Sequence, residues 1–569
     1  MNVEWIHTII DKTTLHGVDN VEKAGLVLFS NAIFDSVNDA PFSGGVAISG
    51  DKIMFVGSRE DVSGYICPDT VVKDFGDKLI LPGFCDSHAH IDGTSHKLFA
   101  EVVNGLDALE SEDECIAAIK DFVDAHPHIK RINSNSWMLT NWGADPVPPT
   151  KASLDKAIPD IPTYIYGSDG HSMWLNSKAI DECDLDGILL RHPEYPPEWV
   201  IRDADGNYSG MIFEDLAVDV HEFAEIYTQE ERARFHTETV KYFSKCGLTG
   251  ITEVLPMKCT EIISYYSRLK ELDNMGELPI RIYMWHGLAP RNDDTATIDA
   301  DYIKDLMPFF NTDTLRIAGI KTNIDGIPFH YTSAMLEPYS DDPSVSGSFL
   351  NAPGVYLEWV SAVNGMGFSV KTHCTGDAAV RLALDCFEKS LSENGDRDFR
   401  NAIEHMDMVT DEDIPRFAKL GVIASVQPAH LIMCKGIGMV RYGERAYSEW
   451  PFRKLIDAGA RIAIGTDMPV VECDPYLTIY KAVTRKDIDG SQYSPHSANQ
   501  ALSLPEVLKG YTIGGAYNNR MEEKVGTLEA GKYADIIVAD KNLFAIPAEE
   551  IKDCCTILTV FNGRIVYEN

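Results

Sequence analysis

Leu79-Ile-Leu-Pro-Gly-Phe-Cys-Asp-Ser-His-Ala-His90 is the stretch from which the fold can be read. Its apolar start, Leu79 to Cys85, predicts a buried strand, and the polar residues Asp86, Ser87, His88 and His90 follow at once. Side chains alternate along a strand with a period of two, so His88 and His90 face the same side. Downstream, helical patterns end at a glycine and short apolar strands follow. Glu230 to Cys246 stops at Gly247 before Leu248 to Val254; Asp411 to Leu420 stops at Gly421 before Val422 to Val426; Pro451 to Ala458 stops at Gly459 before Arg461. Glycine just past a helix is the expected left-handed cap, and alternating helix and strand predicts a parallel sheet.

With Leu79–Cys85 as the first, eight candidate strands emerge. The others are Leu248–Val254, Ile280–Trp285, Arg316–Lys321, Phe368–Thr372, Asn401–Glu404, Val422–Val426 and Arg461–Gly465. The expected fold class is therefore α/β, a (β/α)8 TIM barrel over residues 81–518. Such a barrel typically needs about 250 residues, so the excess is insertion. Most of it lies at 93–226, with a helix at Ser111–Ala125 opened by a Ser111-x-x-Glu114 capping box. Both chain ends read as β: hairpins are expected at Gly50-Asp51 and at Asn562-Gly563, the stronger turn signal. Neither end is long enough to bury a core alone, so residues 24–80 and 519–569 are expected to form one composite β-sandwich domain.

The 569 residues are 44% apolar and 24% charged, ordinary globular values that exclude a disordered or low-complexity scaffold. Lys plus Arg is 50 and Asp plus Glu is 87, a net charge of −37, which makes nucleic acid and anionic membrane poor partners. Met1 to Lys23 carries no apolar signal core and no run is long enough to span a bilayer. The twelve cysteines then read as reduced thiols, and a cytoplasmic location is expected. Cys554-Cys555 reads as a strand feature. A homodimer is compatible with this size, although no interface signature is present.

Functional groups of a barrel lie at the carboxyl ends of its strands. Those ends carry His88 and His90, Lys321, His373, Glu404-His405 and Asp467. Barrel closure sets Asp467 on strand eight beside strand one and gathers the set around one point. Neutral imidazoles with a carboxylate suit one or two divalent ions, Zn2+ first, with Mn2+, Fe2+ or Ni2+ as alternatives. A lysine beside an ion must be neutral or converted by CO2 to a carbamate, which could bridge two ions; pairing with Asp325 or a substrate carboxylate is the other reading. Glu253 is the fallback bridge.

Leu81 to His90 resembles the opening of the amidohydrolase superfamily, and further segments resemble its YtcJ-like branch, amidohydrolase family 3. They include Asp169-Gly170-His171, Asp325-Gly326, His373-Cys-Thr-Gly376-Asp377, Ile403-Glu-His405, Ser425-Val-Gln427-Pro428, Gly465-Thr-Asp467 and Gly526 to Asp535. The resemblance, which runs from about Gly25 to Tyr567, implies a hydrolase of non-peptide carbon–nitrogen bonds, often amides and in some relatives N-substituted formamides. By it, His88, His90 and Asp467 would hold a first ion and His373 and His405 a second, with Lys321 carboxylated between them. The branch's usual His-Ala-Ile-Gly reads His373-Cys374-Thr375-Gly376 here, a changed pocket wall.

The expected chemistry is attack by metal-activated water on a small-molecule amide, with Asp467 as general acid–base. His171 and Trp142 in the insertion, and Gln427 at the end of strand seven, are the candidate substrate contacts. His286 is expected at the mouth, while His96, His126 and His128 are expected to be solvated. A mononuclear deaminase of an amidine or heterocyclic ring would need only His88, His90, His373 and Asp467, leaving Lys321 metal-free. A non-catalytic regulatory or binding protein on the same scaffold is the third reading.

Overall fold

The structure is a computed structural model that describes residues 23–143, 146–193, 195–224, 227–255, 262–288, 290, 300–395, 397–432, 437–492 and 497–569. The reading of the first 22 residues as free of a signal core lies outside them.

The barrel strands are Phe84–Ala89, Leu248–Val254, Arg281–Gly287, Leu315–Asn323, Val370–Cys374, Ala402–His405, Ile423–Val426 and Arg461–Ile464, paired in chain order and all parallel. A parallel bridge between Ala89 and Met468 closes the ring. The helices stop where glycine allows: Ile414–Leu420 ends at Gly421, whose φ of +65° needs no Cβ to be accommodated.

The first strand departs from expectation. Leu79–Cys85 is not one strand but parts of two, broken at Gly83. Leu79–Pro82 belongs to a different sheet, parallel to Leu26–Ile33 and antiparallel to Ile536–Ala539, and only Phe84–Ala89 enters the barrel. Gly83 sits at the change of partner, its N–H on Asp535 O, while Phe84 N–H donates to Gly247 O. A Cβ on Gly83 would lie 2.1 Å from Thr249 Oγ1, so the crossing needs glycine on steric grounds.

That other sheet has eight strands and draws on both chain ends. Leu26–Ile33, Phe42–Ser49, Lys52–Gly57, Val71–Asp74 and Leu79–Pro82 join Ile536–Ala539, Thr556–Phe561 and Arg564–Glu568. Asn562 and Gly563 both have positive φ, 47° and 71°, as a tight turn between twisted strands requires. Cys554-Cys555 lies ahead of Thr556–Phe561 rather than within a strand, and the ten described cysteines are free. Among the described residues no helix is long and apolar enough to cross a membrane.

The insertion builds a five-stranded sheet of Ile132–Trp137, Thr163–Gly167, Ser172–Leu175, Val200–Arg202 and Tyr208–Phe213. Its first long helix, Glu112–Ala125, is capped by half of the expected box. Ser111 accepts from Glu114 N–H, but the Glu114 carboxylate accepts from Glu110 N–H, one residue before the cap.

Candidate metal centre

Strand eight is stapled to strand one at their carboxyl ends. Asp467 N–H donates to His88 O at 2.7 Å and His90 N–H to Met468 O at 2.8 Å. Beneath them the buried Asp86 carboxylate accepts from His88 N–H and from the backbone and hydroxyl of Thr466. Asp467 and His405 sit at φ of +64° and +71°, conformations that non-glycine residues adopt only where the surroundings enforce them.

This closure brings His88, His90 and Asp467 together. Asp467 Oδ1 lies 3.0 Å from His90 Nε2 and 3.3 Å from His88 Nε2. His90 bonds the Val254 carbonyl through Nδ1 at 2.9 Å, which leaves Nε2 as its lone-pair nitrogen. His88 Nδ1 lies 2.8 Å from Glu404 Oε1, outside hydrogen-bond alignment. Three donors converging on one point, their outer nitrogens backed by a carbonyl and a carboxylate, form the arrangement that fits a divalent ion. Burial alone would raise the Asp467 carboxyl, but His88, His90 and His405 hold it well below its ordinary value. Burial keeps His88 and His405 below theirs, as neutral imidazoles.

Lys321 stands elsewhere in this geometry. Its Nζ contacts Glu404 Oε2, not Asp325. A second buried ammonium, Lys371, lies 3.2 Å from Glu404 Oε1 and donates to Ser87 O at 2.7 Å. Burial would raise Glu404, yet His88 and the two lysines hold it far below the usual range. Asp325 instead accepts the N–H groups of Ala334, Thr375 and Gly376, and burial pushes it up to about 8. His373 packs 4.4 Å from the His405 ring, but its Nε2 bonds Gly326 O at 3.1 Å. Among the described residues it joins no set of three metal donors. Glu253 is bound by Tyr266 and Ile91 N–H, and burial raises it to about 8.

The insertion contributes one candidate and withholds another. His171 lines the cavity of about 270 Å3 that contains His88, His90 and Asp467. Its Nδ1 lies 2.6 Å from Glu214 Oε2, and Glu214 Oε1 accepts from Thr332. Burial opposes a charge on His171, but Glu214 and Asp169 raise it to about 9. Trp142, expected at the substrate, packs against Trp137 and Trp174 in the insertion's own core. An aromatic-rich sequence does not distinguish a core from a cavity wall, which accounts for the correction.

Gln427 is likewise corrected. It is buried and uses its side-chain oxygen on His405 N–H and its amide on Ser425 O, so it props strand six rather than meeting substrate. His286 is absent from the cavity lining and bonds Gly287 O. His96 is fully buried, against expectation, because it falls one helical turn after Asp92 on the face packed against Arg232 and His236; His126 is half-buried and His128 exposed.

One residue of the centre was named without a role and one was missed. Glu404 directly precedes His405, and its position inside the barrel follows only from strand register. His430 sits in the turn Pro428–Ile432, two residues after Pro428, with Nε2 3.5 Å from Asp467 Oδ2. Burial lowers it to about 4, a neutral ring.

A closed parallel barrel with imidazoles and a carboxylate gathered at its carboxyl end defines a metal-dependent hydrolase. The chain belongs to the amidohydrolase family, whose model matches residues 72–567. It is 26% identical to the protein LONG AFTER FAR-RED 3 of Arabidopsis thaliana, over 96% of this chain and 92% of that one. It is 25% identical to the putative amidohydrolase YtcJ of Bacillus subtilis, over 94% and 98% of the two chains. It is also 25% identical to the N-substituted formamide deformylase of Arthrobacter pascens, over 92% and 94%. A solved structure of an uncharacterized metal-dependent hydrolase from Pyrococcus horikoshii superposes with a TM-score of 0.70 at 24% identity. It covers 92% of this chain and 99% of that chain, and it shows the fold.

Proposed function

We propose that the protein hydrolyses the carbon–nitrogen bond of a small-molecule amide or N-formyl amide, with Asp467 as general acid–base. The observation that carries this is the placement of Asp467: one oxygen joins His88 and His90 while the other, Oδ2, remains toward the cavity wall formed by His405 and His430. The similarity to a formamide deformylase supports the bond type.

His88, His90 and Asp467 would hold a divalent ion, zinc being the first choice, which would supply Lewis acidity and lower the pKa of water to about 7. The protein's own groups do the rest. His171, fixed through Nδ1 on Glu214, offers Nε2–H to a substrate oxygen and stabilises negative charge that develops there. Asp467 Oδ2 accepts the proton of the attacking water and delivers it to the departing nitrogen. Without that delivery the nitrogen would leave as an amine anion, a very poor leaving group. Tyr166, Asp169, His171 and Glu214 of the insertion line the cavity.

The test is a screen of N-acyl, N-formyl and cyclic amides beside metal analysis of the purified protein. Amine and acid should appear with metal bound, and Asp467→Asn should keep the fold while turnover falls by about 10²- to 10⁴-fold. Full activity in that variant removes Asp467 from the mechanism. Ammonia as the sole nitrogen product would instead establish a deaminase.

A further inference from the structure

The cavity wall is rich in carboxylates and poor in cations. Among the described residues no arginine lines it, and its lysine, Lys321, is held on Glu404. Several of the acids are already matched within the protein. Asp92 meets Arg232 at 2.8 Å, Asp169 meets His330 at 3.1 Å and Glu214 meets His171 at 2.6 Å. Glu253 spends one oxygen on the Tyr266 hydroxyl and the other on Ile91 N–H.

Asp407 differs from these. It is 6% exposed, lines the same cavity, and accepts a hydrogen bond on Oδ1 from the indole N–H of the buried Trp450 at 3.0 Å. Its other oxygen, Oδ2, has no partner among the described residues. The backbone explains the placement. His405 and Met406 both have positive φ, 71° and 56°. Met406 N–H and Met408 N–H then donate to Cys374 O and Thr375 O, at the end of the neighbouring barrel strand. Met406 is thereby packed in the core, while His405 and Asp407 line the cavity.

A buried carboxylate without an opposite charge is costly. A cation brought by the substrate removes that cost and gains a charge-assisted hydrogen bond on Oδ2, while Trp450 restrains the carboxylate through Oδ1. A substrate carboxylate would instead meet like charge.

We propose that Asp407 is a specificity-determining residue that receives a protonated amine carried by the substrate in addition to its amide. This specificity rests on the amide hydrolysis proposed above and adds the charge that the cleaved molecule carries. A polar group built to be met by the substrate rejects an analogue that leaves it unpaired, so the neutral counterpart is the informative comparison.

The experiment gives the metal-loaded enzyme three N-acyl amides that differ only at the tail, which ends in an ammonium, a hydroxyl or a carboxylate. kcat/KM should favour the ammonium over the hydroxyl at least tenfold, mainly through KM, and should be lowest for the carboxylate. Asp407→Asn and Asp407→Ser should each reduce the ammonium-to-hydroxyl ratio at least tenfold; metal content and circular dichroism verify the centre and the fold. Hexylammonium chloride, titrated by calorimetry, should bind the wild type at least tenfold more tightly than either variant. Equal cleavage of the ammonium and hydroxyl substrates, or a preference that survives in both variants, overturns the proposal while amide hydrolysis stands. If no amide is cleaved yet hexylammonium binding depends on Asp407, the proposed reaction fails and the amine site stands. No cleavage and no binding that depends on Asp407 removes both.

Discussion

Glu404 stands at the edge of the centre, close enough to His88 and His405 to form a set of three donors with them. Its carboxylate, fully buried, lies between His88 Nδ1 and the ammonium groups of Lys321 and Lys371. A carboxylate behind a ligating imidazole sets the ring's orientation and raises its basicity. Glu404→Gln should weaken zinc binding about 10- to 100-fold, read by competition against a chelator, and an unchanged affinity would deny the role. His171 supplies a pH signature. Its folded pKa of about 9 exceeds the ordinary value near 6.5. The stabilisation it shares with Glu214 is therefore full below pH 6.5 and is lost as pH rises through 9, a contribution on the order of 3 kcal/mol. Glu214→Gln should melt below wild type at pH 6 and approach it by pH 10. A constant gap in melting temperature across that range would contradict the pairing.

At the scale of elements, the barrel's second strand, Leu248–Val254, lies where its apolar run places it, and the others fall within one to two residues at most ends. Leu248–Val254, Ile423–Val426 and Arg461–Ile464 each follow a helix-ending glycine, a local signal. The first strand was misread because Leu79 to Cys85 is apolar throughout, and an apolar run does not reveal that its partners change midway. Gly83→Ala would press a methyl group against Thr249, 2.1 Å from Oγ1, and should cost about 1–3 kcal/mol in chemical denaturation. The cost should shrink in a Thr249→Ala background, since neighbours in contact are non-additive. Additive losses would place the strain elsewhere.

Over the whole molecule, a buried ion pair joins the barrel to the sheet built from both chain ends. Arg281, on the third barrel strand, meets Asp535 at 2.7 Å with both side chains almost wholly buried, and it also reaches Asn562. Removing one partner strands the other charge, so Arg281→Ala should destabilise the protein by about 3–5 kcal/mol, measured as a lower denaturation midpoint. A loss below about 1 kcal/mol would mean that the sheet and barrel hold together without it. The site depends on long-range closure in the same way: His88 and Asp467 are 379 positions apart in the sequence and meet because strand eight returns to strand one.

What the sequence determined by itself was the eightfold rhythm, the two-residue spacing of His88 and His90, and the family. All three reside in local periodicity and short motifs. Tertiary structure alone decided which expected residues work together. It turned His373 toward Gly326, Lys321 toward Glu404, and Trp142 and Gln427 into packing, and it brought His430 to Asp467. The physical reason is that periodicity specifies the face of a strand on which a side chain stands. Its partner depends on which distant chains are packed opposite, and burial then favours whichever pairing satisfies the most polar atoms.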